Sequence, residues 1–217
     1  MKTHAYRQYY IDEAMYILGA AFDYAVYDMK MDIDEFFELF INTGIAEQFG
    51  NGNPKYVAGM SGPDIVKEVI FTNTGERPTK RKSKNYAETV EFWAGWSLAY
   101  YQWESGHSFK EIYENGLKPS NVKQMYILHE APLSKFVSEA EKIFSENYKN
   151  KETHLKIIRS VCGLSQSALA KSSGVALRMI QLYEQRQNNI NKAQAETLLR
   201  LSRALGCNME NLLEPER

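Results

Sequence analysis

Cysteine is nearly absent. Cys162 and Cys207 are the only two in 217 residues, too few for a disulfide scaffold and not in the paired spacing of zinc or thiol-redox motifs. Both fall at expected helix ends and read as small buried apolar residues. The sequence also lacks a His-Glu-x-x-His pattern, a glycine-rich phosphate loop and a nucleophile elbow. Ser105, His107, His129 and Glu130 are the residues from which a hydrolase or metal site would have to be built, and scattered polar groups of this kind more often cap helices or sit at the surface. An enzyme is therefore not expected, and neither a metal nor another cofactor is. No stretch approaches the roughly 18–20 uninterrupted apolar residues that span a bilayer, and the amino terminus lacks a signal-peptide pattern. These absences lead us to expect a soluble, cytoplasmic protein with no membrane partner.

Charge of one sign is lacking too: 26 Lys/Arg stand against 27 Asp/Glu, a balance that argues neither for nor against nucleic acid. Its distribution says more. After residue 150 there are ten Lys/Arg against six Asp/Glu, a net of +4, which leaves −5 on the first 150 residues. A basic last third on an acidic body suits a DNA-binding module joined to a protein-binding domain, and the length allows two modest domains with cores of their own.

The periodicity predicts an all-α protein. In residues 5–29, Tyr10, Ala14, Ile17, Ala21 and Tyr24 form one apolar row beside a second of Ile11, Met15, Leu18, Phe22 and Ala25, so this helix is expected to be buried over much of its circumference. A second helix is expected over Ile33 to Thr43, capped by Asp32 or Asp34 and ended by Gly44. Residues 50–63 read as a loop with an extended piece at Tyr56-Val57-Ala58, and another helix is expected from Pro63 to Phe71. The acids of the first fifty residues form either a solvated face or a docking surface for a basic partner. A basic linker then carries Lys80-Arg81-Lys82 and Lys84, a run that can stay solvated or touch phosphate.

Residues 87–104 hold an aromatic stripe, Trp93, Trp96, Tyr100 and Trp103, with Gly95 and Ala99 allowing another helix to approach closely. The stripe is either core or the lining of a ligand pocket. Helices are further expected over Phe109 to Tyr113, from Pro119 through Leu128, and from Pro132 to Tyr148. The expected divisions are an acidic helical subdomain (1–75), a basic linker (76–86), an aromatic-rich helical subdomain (87–149) and a DNA-binding domain (150–217).

In that last division Ser165 is placed to cap a helix, Leu169 to enter a core, and Gly174 to turn the chain with positive φ. Ile180 and Tyr183 share an inward face. Together with Leu155, Ile158 and Arg159, Gly-Leu-Ser-Gln at 163–166, Leu169-Ala170, Ser173-Gly174-Val175, Glu184, and a closing helix of Leu198, Leu201, Ala204, Leu205 and Gly206 before Leu212 and Leu213, these residues resemble the Xre or Cro/CI-like phage-repressor helix-turn-helix family over 153–213. Residues 1–75 more faintly resemble a short helical domain of unknown function that tends to be encoded beside toxin genes. The first resemblance implies a five-helix fold, a first helix near 165–173, a recognition helix near 176–185, a phosphate contact by Gln166 and a helix anchor at Glu184. For Gln166, packing at the helix start is the alternative.

With Ile180 and Tyr183 inward, Leu177, Arg178, Gln181 and Leu182 are left to meet bases. Arg178 can fork onto O6 and N7 of guanine, Gln181 can pair with adenine or reach a phosphate, and Leu177 can touch a thymine methyl. Leu177 and Ala176 both depart from the family, which favours a polar residue and a Ser or Thr cap at these positions. Gln185, Arg186, Gln187, Asn188, Asn189 and Lys192 form a polar loop suited to the phosphate backbone; of these, Gln185, Arg186, Asn188, Asn189 and Lys192 join Gln166 in the expected phosphate-binding set. The expected function is a sequence-specific repressor of double-stranded operator DNA, a homodimer, whose N-terminal region binds a toxin as its antitoxin. The alternative is a ligand-sensing regulator with a small-molecule pocket in that region.

Overall fold

A computed structural model describes residues 4–82 and 89–214. The protein is all-helical, with no strand among the described residues, and none of the described helices is long and apolar enough to cross a membrane. The chain divides into two compact units, Met1–Asn147 and Tyr148–Arg217.

The first unit is built around α1 (Ile11–Asp23), which follows a 3-10 turn at Gln8–Tyr10 and widens into a π turn at Tyr24–Asp28. Both apolar rows are used: Ala14, Ile17, Leu18, Ala21, Phe22, Tyr24 and Ala25 are at most 2% exposed. Asp32 caps α2 (Ile33–Asn42), its carboxylate accepting the Asp34 and Glu35 amides at 2.9 and 3.2 Å. Gly44, at φ 75°, turns the chain into α3 (Ile45–Gly50). Then come α4 (Pro54–Val57), α5 (Gly62–Thr74), α6 (Val90–Ser105), α7 (Phe109–Glu114), α8 (Pro119–Gln124), a 3-10 turn at Tyr126–Glu130 and α9 (Leu133–Asn150), whose last residues from Tyr148 on belong to the second unit. Phe22, Phe36, Phe37, Phe40, Phe49 and Phe109 meet largely edge to face in the core, as at Phe22–Phe36 (5.7 Å) and Phe37–Phe109 (5.8 Å).

Helices α1 and α6 touch backbone to backbone. A Cβ on Gly95 would stand 2.6 Å from the Leu18 carbonyl oxygen, and one on Gly19 would stand 2.8 Å from that of Phe92. The two N-terminal helical segments therefore share one core, a point on which the sequence was silent. The stretch between them is tied down as far as it is described: Arg77 pairs with Glu68, the Lys80 ammonium donates to the Asp28 carbonyl, and the Tyr24 hydroxyl donates to that of Lys80. Residues 83–86 of the expected linker lie outside the described residues.

The aromatic stripe of α6 packs inward. Trp93 lies edge-on to Tyr126 and Phe136, while Trp103 stacks on His4 and donates its indole N–H to the Tyr6 carbonyl at 2.8 Å. Trp96 and Tyr100 are half-buried.

Three local expectations change. Tyr56 and Val57 are helical rather than extended, because Asn53 caps the Lys55 amide at 3.0 Å and Pro54 presets the first turn. A helix not anticipated, α3, forms where Ile45 and Phe49 reach the core one turn apart. The helix starting at Pro119 stops at Gln124, and i→i+3 bonds from Leu128 to Met125 and from Ala131 to Leu128 replace its continuation.

Asp23, at the end of α1, is 1% exposed and accepts the Thr89 hydroxyl, while Thr89 in turn caps α6 through the Phe92 amide at 3.0 Å. Burial and the nearby Glu91 charge push its carboxyl up to about 6, against the opposing Thr89 bond and Lys82 charge. A raised folded pKa means stability that is complete below the unfolded value of about 3.9 and is lost as pH rises through about 6. Asp23→Asn keeps an acceptor for Thr89 without the charge. Thermal melts from pH 5 to pH 8 should show the first unit of the wild type weakening with pH and the variant unaffected, ahead by about 1–3 kcal/mol at the alkaline end.

The second unit contains α10 (His154–Val161), α11 (Gln166–Ser173), α12 (Leu177–Glu184) and α13 (Ala195–Leu205), with 3-10 turns at Ile190–Lys192 and Met209–Leu212. Leu155, Leu169, Val175, Ile180, Tyr183, Ile190, Leu201, Leu205 and Leu212 make its core. The cysteines depart from expectation. Cys162 is exposed, following the last turn of α10 where Gly163 reverses the chain at φ 67°, and Cys207 is only half-buried; both are free thiols.

Candidate nucleic-acid interface

The α11–turn–α12 segment is set by local chemistry. Ser165 accepts the Ala168 amide at 3.0 Å and starts α11. At the other end the Ser173 hydroxyl donates to the Leu169 carbonyl at 2.6 Å and accepts the Val175 amide at 3.2 Å, and Gly174 takes φ 68°, which glycine adopts without steric cost. Ala176 precedes α12 without a side-chain cap.

One face of α12 is fixed from below by Ile180, Tyr183 and Glu184. Glu184 is the hub. Its oxygens receive the Arg159 guanidinium twice, at 2.6 and 2.9 Å, and the Gln166 carboxamide at 2.8 Å, while Arg159 also donates to the Leu164 carbonyl at 2.7 Å. Burial alone would raise the Glu184 carboxyl, but the Arg159 and Gln166 bonds and the Arg159 charge outweigh it and hold it below the ordinary carboxylate value. The Arg159 fork thereby joins α10 to α12, and the Gln166 carboxamide joins α11 to the same carboxylate.

The opposite face of α12 is open. Leu177 is 37% exposed, Arg178 is exposed, and Gln181 and Leu182 are half-exposed. Their spacing, two neighbours repeated one turn later, makes a single strip. No hydrogen bond or ion pair holds the Arg178 guanidinium among the described residues, so its five donors face outward.

The residues expected to hold phosphate fall into two groups. Gln185, Asn188, Asn189 and Lys192 are exposed, with the Asn189 carboxamide oxygen already accepting the Asn191 amide at 2.9 Å. Gln166 and Arg186 are engaged inside the unit. Gln166 gives its NH2 to Glu184, as above. Arg186 donates to Glu214 at 2.6 Å and to the Lys151 and Glu152 carbonyls at 3.2 and 3.4 Å, and its guanidinium lies 4.4 Å above the Tyr148 ring. Residue separations of 18 for Gln166–Glu184 and 28 for Arg186–Glu214 hide both pairings from any local pattern. Lys171, exposed at the end of α11, is a further cation that the sequence reading passed over.

The four residues from which enzyme chemistry would have to be assembled are occupied locally. The Ser105 hydroxyl donates to the Tyr101 carbonyl at 2.6 Å, His107 is buried and stacked on Phe144 at 3.9 Å, and His129 is stacked on Tyr126 at 4.2 Å beside Glu130. No family model matches this chain, and no curated protein or solved structure matches it either.

Proposed function

We propose that the second unit is a Cro/CI-like helix-turn-helix module that reads double-stranded DNA with α12, and that the chain is a sequence-specific repressor. The observation that carries this reading is the two-sidedness of α12. Its inner face is locked by a buried ion pair and core side chains, while its outer face offers an unengaged Arg178 among Leu177, Gln181 and Leu182. A helix fits the major groove, and one whose backbone is already fixed leaves only the Arg178 side chain to be ordered against guanine. Gln185, Asn188, Asn189 and Lys192 supply backbone contacts beside it, which set affinity and register. Gln166 and Arg186 are left out of that set because their side chains already bond Glu184 and Glu214.

One module covers few base pairs, so the functional species is a homodimer on a palindrome, with reading helices about 34 Å apart. A strictly monomeric chain in sedimentation, with and without the duplex it prefers, would contradict this. The first unit is proposed to bind a partner protein, as an antitoxin binds its toxin. The acidic charge of residues 1–150 supports this, as does the resemblance of residues 1–75 to a toxin-associated domain. The ligand-sensor alternative gains little support, because Trp93 and Trp103 of the stripe are used in packing. One cleft in this unit, about 270 Å³, lies away from the stripe, between Tyr16, Ile17 and Pro63, at the lower edge of ligand-pocket volumes.

Gel shifts over a salt series separate the roles. Arg178→Ala should relax sequence preference at one base pair. Lys192→Ala should weaken all duplexes alike and lower the slope of log affinity on log salt by about 0.9. The reverse ranking would overturn the assignment.

A further inference from the structure

Glu214 gathers four segments of the second unit. One carboxylate oxygen accepts Arg186 at 2.6 Å and the Tyr148 hydroxyl at 2.9 Å, and the other accepts the His154 amide at 2.8 Å. Its backbone is clasped by Asn191, whose carboxamide donates to the Glu214 carbonyl at 2.6 Å and accepts the Glu214 amide at 2.8 Å. The carboxylate is thus fixed against the polar loop that follows α12.

Arg186 is held there at a cost. It has φ 55°, a left-handed conformation unfavourable for a residue with a Cβ, and its Nε is buried without an acceptor. Arg186 belongs to the same loop as the exposed Gln185, Gln187 and Asn188, to which a phosphate would come under the reading above, and its guanidinium, with a side chain only 15% exposed, is already met by the anionic oxygen of Glu214.

We propose that Glu214 is an internal substitute for a DNA phosphate, which keeps Arg186 in reserve and attenuates the affinity of the second unit for duplex DNA. The inference rests on the DNA-binding reading and adds a regulated contact to it. An intramolecular carboxylate competes without loss of translational entropy, so it holds the arginine until the Leu213–Glu214 segment is displaced. Displacement adds one cation to the phosphate contacts.

The test uses the full chain and a mixed-sequence duplex titrated over about 50–200 mM salt. Glu214→Gln should bind several-fold more tightly, with a log–log salt slope steeper by about 0.9. Arg186→Ala should leave the wild-type slope unchanged and should restore that slope in the Glu214→Gln background. Glu210→Gln, at an exposed site outside the Arg186–Glu214 ion pair, removes the same charge and should not steepen the slope. Glu214→Asp keeps the charge, is the milder change for folding, and should give an intermediate slope. A wild-type slope in both Glu214 variants, a steepening equalled by Glu210→Gln, or one that survives loss of Arg186 would overturn the role of Glu214 while leaving DNA binding intact. Absence of binding by wild type and variants alike would instead sink the DNA-binding reading and this inference with it.

Discussion

Glu184→Ala should lower the melting temperature of the second unit by roughly 12–40 °C. The substitution leaves the Arg159 guanidinium, with a side chain only 12% exposed, without its counter-ion and frees the Gln166 carboxamide. Removing one partner of a buried pair costs about 3–5 kcal/mol, and a domain of this size loses roughly 4–8 °C per kcal/mol. Calorimetry of the whole chain reads the effect directly. The same pair sets an acid limit. Because the Glu184 carboxyl sits below its ordinary value, its contribution is present above the unfolded pKa of about 4.3 and is lost as pH falls through the lower folded one. Glu184→Gln should therefore flatten the acid side of the stability profile. A melt within a few degrees of wild type for Glu184→Ala would mean that α12 is not anchored this way.

Gly95→Ala should cost the first unit about 3 kcal/mol or more, because the added methyl meets the Leu18 carbonyl at 2.6 Å and a helix backbone cannot move aside alone. Helices α1 and α6 would have to separate along their length, exposing Leu18, Phe22 and Leu98. The melting temperature should drop by roughly 6–12 °C. Ala99→Gly, one turn on and also buried, creates no clash and should cost about 1 kcal/mol of helix propensity and about 0.8 kcal/mol for the lost methyl. Equal effects at the two positions would argue against a shared core for the two N-terminal segments.

Much of this architecture was legible. Helix caps are local, so Ser165 could be read from its own residue and Asp32 as one of two neighbouring candidates, and both caps are made. The paired apolar rows of α1 predicted a helix buried on most sides, which it is. Contacts between distant segments were not legible. Gly95 signalled a close approach but not its partner, and neither Gly19 nor the Leu18 carbonyl carried any mark of it. The engaged state of Arg186 was equally invisible, since an arginine in a polar loop looks the same whether it faces solvent or a carboxylate 28 residues away. The exposure of Cys162 followed from a chain reversal, not from residue type.

The most direct test of the proposed function is selection from a pool of random duplexes by the whole chain, wild type and Arg178→Ala in parallel, each sequenced after enrichment. The wild type should enrich a palindromic site with a guanine in each half. Arg178→Ala should still bind duplex but lose that guanine, a relaxation of roughly 5–150-fold at one position for the 1–3 kcal/mol of a bidentate contact. No enriched sequence with the wild type, or the same guanine enriched without Arg178, would contradict a reading helix at Leu177–Glu184.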